Sequence, residues 1–193
     1  MRSRCWRPDD GTFALMARTH RGSFRRFVIG LVCAAASFFA ATSASAQTKV
    51  GVDVQADAPI SPSGVSGGIG GSLRLGYELN AIVATLTPEL GGGYHAFGGV
   101  LSPNIMRGFV GGRVGVGAPV RTSVFAHFGY ARVINDNAPN RNAPTFDAGL
   151  AFDLLVIPRI DLGIHGAYNV VSGNDQGSAN KWLSAGLHVQ IAF

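Results

Sequence analysis

From Leu183 to the end of the chain every second residue is apolar: Leu183, Ala185, Leu187, Val189, Ile191 and Phe193. The alternate positions hold Ser184, Gly186, His188, Gln190 and Ala192, nearly all small or polar. Successive side chains of an extended strand point to opposite faces, so this period of two describes a β-strand with a different solvent on each side. The pattern constrains the whole fold because seven upstream segments repeat it. Glycine supports the same conclusion: 24 of the residues after Ala46 are glycine, which disfavours helix throughout.

Residues 48–56 set Val50, Val52 and Val54 against Lys49, Gly51, Asp53 and Gln55. Residues 69–79 set Ile69, Leu73, Leu75, Tyr77 and Leu79 against Ser72, Arg74 and Glu78. Residues 82–97 oppose Leu86, Leu90 and Tyr94 to Thr85, Thr87, Glu89 and His95, with Pro88 removing a ladder donor. Residues 106–116 oppose Val110, Val114 and Val116 to Arg107, Gly111 and Arg113. The least regular segment, 123–133, places Val124, Ala126, Phe128 and Tyr130 opposite Phe125, His127 and Gly129. Residues 145–155 place Phe146, Ala148, Leu150, Phe152 and Leu154 opposite Asp147, Gly149 and Asp153. Residues 160–170 place Ile160, Leu162, Ile164 and Tyr168 opposite Asp161, His165 and Asn169. Closing segment included, this predicts eight strands.

Residues 1–46 follow another logic. Arg25 and Arg26 precede an apolar stretch, 27–41, and Ala44-Ser45-Ala46 supplies small residues for cleavage after Ala46. This is the pattern of a secretory signal peptide, its core too short to span a membrane as a helix. A start at Met16 gives the leader a more ordinary composition than one at Met1. Both cysteines, Cys5 and Cys33, fall in the leader, so the exported chain carries no disulfide. After Ala46 nine basic residues balance nine acidic ones, so the high isoelectric point belongs to the leader and gives no reason to expect nucleic acid. The remaining residues, 47–193, suit one domain.

The connections predicted after the second, fourth and sixth strands are short, for example Asn80-Ala81 and 156–159. Those after the first, third, fifth and seventh are longer and rich in Pro, Asn, Ser and Gly, for example 135–142 and 172–180. Short turns alternating with longer loops, an even strand count and segments of roughly ten residues describe a transmembrane barrel with both termini on one side. A soluble eight-stranded barrel with its apolar residues inside has the same periodicity. Tyr and Phe near strand ends favour the membrane, where aromatic girdles mark the interfaces.

The two-faced closing strand, terminal Phe193 and loop asymmetry resemble the small bacterial outer-membrane β-barrel proteins of the OmpA/OmpX type, a porin-like barrel domain. The resemblance implies an all-β, eight-stranded antiparallel up-and-down transmembrane β-barrel preceded by a cleaved signal peptide. It implies export through the Sec pathway to a Gram-negative outer membrane, with both termini in the periplasm. The expected partners are outer-membrane lipid and, during biogenesis, the barrel-assembly machinery, which reads the last strand and its terminal Phe193. The expected state is a monomer.

A barrel of eight strands is just wide enough for its own side chains. The inward parity carries Lys49, Arg74, Arg107 and Arg113 with Asp53, Glu78, Glu89, Asp147, Asp153 and Asp161. Opposite charges confined in a low-dielectric tube should pair, because an unpaired buried charge is expensive. Glycine takes twelve positions of that parity, Gly117 among them, and either leaves a wet channel or makes room for arginine. His95, His127, His165 and His188 share the parity but lie at different depths on four strands, so they read as ordinary lumen histidines rather than metal ligands. His127-Phe128-Gly129 resembles the His-x-Ser spacing of outer-membrane lipid A deacylases, but Gly129 stands where the serine belongs and no nucleophile remains. Gly67-Gly68-Ile69-Gly70-Gly71 and Gly91-Gly92-Gly93 lack the Lys-Ser/Thr tail and helix of a phosphate loop.

The sequence therefore predicts no catalytic residue, cofactor or metal. The expected function is a structural or surface role in the envelope, or narrow porin-like conduction. The alternative is binding of an unknown ligand or adhesion partner by the external loops, at 57–68, 98–104, 134–143 and 172–181. A lipid A-modifying enzyme ranks behind both.

Overall fold

A computed structural model describes residues 46–81, 84–100, 102–135, 139–173 and 178–193. The leader and its cleavage motif lie outside the described residues, except Ala46, which opens the first strand. Eight strands follow in chain order: β1 (Ala46–Ser61), β2 (Val65–Asn80), β3 (Ala84–Gly99), β4 (Asn104–Val116), β5 (Val120–Ile134), β6 (Arg141–Ile157), β7 (Ile160–Val171) and β8 (Asn180–Ala192). Each pairs antiparallel with its chain neighbours, and β1 closes on β8 from Lys49↔Ala192 to Ser61↔Lys181. Closure leaves no unpaired sheet edge, which hydrocarbon demands of any strand that crosses it.

Burial decides between the two barrels that periodicity allows. Val54 and Leu187 are each 67% exposed, while Asp53 is 5% and His188 2% exposed. Charges fill the inside and apolar side chains cover the outside, the reverse of a soluble barrel. An apolar belt of that extent is stable only against lipid. Tyr77 lies near the rim that carries the termini, and Tyr94, Tyr130 and Tyr168 lie toward the opposite rim.

The strands run further than their side-chain chemistry suggests. At the terminal rim the connections are 81–83, 117–119 and 158–159; at the far rim they are 62–64, 100–103, 135–140 and 172–179. The loop expected at 57–68 is mostly ladder, because Asp57 pairs with Gly68 and Ala58 with Leu183. A ladder bonds through backbone groups, so Gly- and Ser-rich sequence continues it wherever neighbouring strands are already held. The length asymmetry between rims is accordingly smaller than expected. Pro88 pairs across to Gly112 on β4, but the β2–β3 ladder skips from Gly76↔Glu89 to Leu79↔Leu86, a gap centred on the missing proline donor. Gly117 is not a lumen residue: it takes φ +105° in the turn before β5, a left-handed conformation that suits glycine.

Candidate functional site

The lumen is packed in layers rather than open. Nearest the terminal rim, Lys49 Nζ lies 2.7 Å from both Glu78 Oε2 and Asp161 Oδ2, and Arg121 Nη1 also donates to Glu78 Oε2. These groups come from β1, β2, β7 and β5, so one cluster ties together strands on opposite walls.

The middle layer is built around two arginines. Arg74 grips Asp53 with both arms of its guanidinium, Nε to Oδ2 at 2.8 Å and Nη2 to Oδ1 at 2.6 Å, and reaches Glu89 Oε1 with Nη1 at 3.1 Å. Ser72 Oγ donates to the same Asp53 carboxylate. Arg113 lies 3.3 Å from Glu89 and 3.7 Å from Asp153. Gln190, its amide oxygen turned toward the two guanidiniums, accepts from Arg74 Nη2 at 3.3 Å and Arg113 Nη1 at 3.2 Å. The planar fork of arginine suits this two-sided bonding better than the point charge of lysine.

Next along the lumen, Arg107 Nη1 donates to Asp147 Oδ2 at 2.7 Å and Asn169 Oδ1 at 3.0 Å. His127 spans Asp147 Oδ1 (2.7 Å from Nδ1) and Glu89 Oε2 (3.0 Å from Nε2), joining this layer to the previous one. Phe109 and Phe125 flank that imidazole, with the Arg107 and Arg113 guanidiniums each 5.3 Å from one of the ring centres. All ten charged residues that parity assigns to the inside are buried there, and each takes part in an ion pair. Asp57 and Arg141 are buried in the same lumen and Arg121 is partly buried there, paired with Glu78, although turn-like composition puts all three in connections. Their signal was present: each continues the inward parity of its strand by one or two more rungs. Arg141 donates to the carbonyls of Ser172 and Ser178, both at 2.7 Å, and so pins the β7–β8 connection.

Toward the far rim the inward face turns apolar. Phe97, Ile105, Ala131, Val133, Ala143, Val171 and Trp182 form one buried cluster across the lumen. Trp182 meets Phe97 edge-on at 5.6 Å and His95 at 5.1 Å, and His95 in turn holds Asp57 Oδ2 at 2.8 Å. Inward parity predicts mainly polar residues and glycine, with Phe125 an exception; these apolar ones share it because parity sets the face of a strand and not the height along it.

Glycines make room for this packing. A Cβ on Gly91 would lie 2.7 Å from Phe109 Cζ, and one on Gly149 would lie 2.6 Å from Phe125 Cζ. The space left is small: a cavity of about 30 Å³ bordered by Asp53, Arg74, Arg107, Arg113, His127 and His165, enough for about two water molecules. Both nitrogens of His127 face carboxylates, so neither stands free to take a proton from a hydroxyl.

The four histidines do not all stay apart. His165 Nδ1 and His188 Nδ1 approach to 3.3 Å, and both lie beside Asp53. Strand parity could not show this, because it depends on the stagger between β7 and β8.

No family model and no curated protein matches the chain. Solved structures match its fold. Neisserial surface protein A (NspA) superposes with a TM-score of 0.56 at 11% identity, over 79% of this chain and 100% of that one. The N-terminal β-barrel domain of Pseudomonas aeruginosa OprF gives 0.49 at 17% identity, over 77% of this chain and 100% of that one. Ail, the attachment invasion locus protein of Yersinia pestis, gives 0.44 at 16% identity, over 75% and 99%. The chain has the fold of the small eight-stranded outer-membrane β-barrels.

Proposed function

We propose that this protein is a non-conducting, non-catalytic barrel of the bacterial outer membrane, acting as a structural or surface component of the envelope. One observation carries the reading: a lumen crossed by paired charges and capped by an apolar cluster around Trp182. Moving an ion through that lumen requires it to displace buried ion pairs and then pass the apolar cluster around Trp182, both expensive in a low-dielectric tube. Outer-membrane location is supported by the lipid-facing exterior. Export through the Sec pathway, cleavage after Ala46 and recognition of Phe193 by the barrel-assembly machinery belong to the same reading. Phe193 suits that role: its ring is 73% exposed, while its N–H bonds to Thr48 O at 2.8 Å across the closing seam.

Planar-bilayer recording of the purified barrel tests the proposal. The expected result is no resolved unitary conductance at any applied voltage. Reproducible single-channel steps would overturn it in favour of a narrow porin. The surface role has its candidates in the far-rim connections 135–140 and 172–179. Deleting either one while the barrel still assembles should remove the cellular phenotype if that rim is the working surface.

A further inference from the structure

We infer that the barrel carries a divalent transition-metal site, of the kind zinc occupies, made by Asp53, His165 and His188 across the seam where β1 closes on β8. The three residues come from three neighbouring strands. Asp53 is directly opposite His188 in the β1–β8 ladder, and His188 is opposite Gly163 on β7, two residues from His165. Gly163 clears the approach: a Cβ there would sit 2.6 Å from His188 Cε1.

The hydrogen bonds set which nitrogen of each ring is free. His188 Nε2 donates to the Asp153 carboxylate, and His165 Nε2 donates to Gln55 Oε1 at 2.9 Å. The Gln55 orientation is fixed independently, because its amide nitrogen faces Asp57 Oδ1 at 3.4 Å and Ser184 Oγ at 3.3 Å. Both Nε2 atoms therefore carry a proton, and in the neutral rings both Nδ1 atoms present lone pairs. Those lone pairs face one another across 3.3 Å. Two neutral acceptors in that position repel unless a metal ion or a proton lies between them, and the test below separates the two.

The spacing matches a metal. Two nitrogens bound tetrahedrally to zinc at roughly 2.0–2.1 Å are about 3.3–3.4 Å apart. One ligand atom from each of Asp53, His165 and His188 lies within 4.8 Å of the others. Asp53 already bonds Arg74 and Ser72, but a carboxylate has about four lone-pair sites and retains capacity for a metal. Metal-bound histidines characteristically donate their other N–H to a carboxylate or carbonyl, as His188 does to Asp153 and His165 to Gln55. The lumen cavity of about 30 Å³ borders Asp53 and His165 and offers space for a water as fourth ligand. Arg74 and Arg113 stand in the same layer, but Asp53, Glu89 and Asp153 already answer their charge. Imidazole with one carboxylate selects zinc or a neighbouring transition ion over calcium or magnesium. An ion held there would staple β7, β8 and β1 together at the barrel's closure.

The test uses untagged barrel extracted in detergent, stripped with a chelator, dialysed and titrated with Zn²⁺. One zinc per chain is expected to survive gel filtration. H165Q and H188Q should each weaken binding by about 100-fold or more, and D153N by about 10- to 100-fold. H95Q, which alters a histidine outside the site, should bind as the parent does. Heat-modifiable gel migration shows which variants are folded. Nitrogen-15 spectra of the parent protein need no variant: zinc should shift Nδ1 of two histidines together. The site is overturned if no zinc is retained, if the H165Q/H188Q double variant retains it equally, or if the spectra show a proton shared between the rings that zinc does not displace.

Discussion

Removing the Arg74 guanidinium tests whether the lumen is held together as described. In Arg74→Met the aliphatic stem remains, while two bonds to Asp53 (2.8 and 2.6 Å) and one to Glu89 (3.1 Å) disappear. The two acids do not suffer equally. Glu89 keeps Arg113 at 3.3 Å and His127 at 3.0 Å, whereas Asp53 is left with the Ser72 hydroxyl as its remaining side-chain donor. Almost all of the loss therefore falls on one stranded carboxylate, and breaking a buried pair in that way costs about 3–5 kcal/mol. Asp53→Asn in the same background removes the stranded charge, so the double variant should be more stable than the sum of the single changes by about 2–3 kcal/mol. Reversible urea unfolding in lipid vesicles, with chelator present, reads both quantities. Trp182 is a convenient probe, being buried at 1% exposure in the far-rim cluster. A cost below about 1 kcal/mol for Arg74→Met, or no coupling between positions 74 and 53, would show that water rather than protein solvates these charges, and would refute the closed lumen.

Other perturbations probe the remaining parts of the barrel. Gly149→Ala puts a methyl hard against the Gly166 carbonyl oxygen and 2.6 Å from Phe125 Cζ; it should destabilise by about 1–3 kcal/mol in the same unfolding assay, and Phe125→Leu should relieve only the side-chain share, because the backbone contact on β7 remains. Leu187→Arg places a charge on the lipid face near the middle of β8 and should cost about 2–4 kcal/mol in vesicle folding, whereas Ile60→Arg near the far rim should cost about 0–1 kcal/mol. Arg141→Ala releases the carbonyls of Ser172 and Ser178 and should expose the 172–179 connection to protease added outside the vesicles, with a loss of about 1.5–3 kcal/mol.

Turn-like composition does not by itself end a strand. Asp57, Arg121 and Arg141 looked like loop residues because Gly, Pro and Asn nearby signal turns. A ladder needs only backbone donors and acceptors, and neighbours already in place carry it through such composition. Phe97, Ile105, Val133 and Trp182 escaped notice for a different reason. They share the inward parity of Lys49 and Asp147, and only height along the barrel separates the apolar cap from the ionic layers.

Face was legible in the sequence because it is local: adjacent side chains alternate on any extended strand, so a period of two shows which residues share a face whatever the partner strand. That was enough to separate the charged face from the apolar one, to count eight strands and to group ten charges on one face; burial showed that face to be the lumen. Who meets whom inside depends on stagger between strands and on closure, which no single segment encodes. Arg74 reaches Asp53 and Glu89 on the diagonal, because the β1–β2 and β2–β3 registers set Asp53 opposite Ser72 and Glu89 opposite Gly76, each two residues from Arg74. His165 and His188 face each other because β7 and β8 are offset by two residues at that point, and Asp53 joins them only because the first strand closes on the last. Tertiary structure decided how the lumen is packed, and it brought residues dispersed from 53 to 188 within reach of one another.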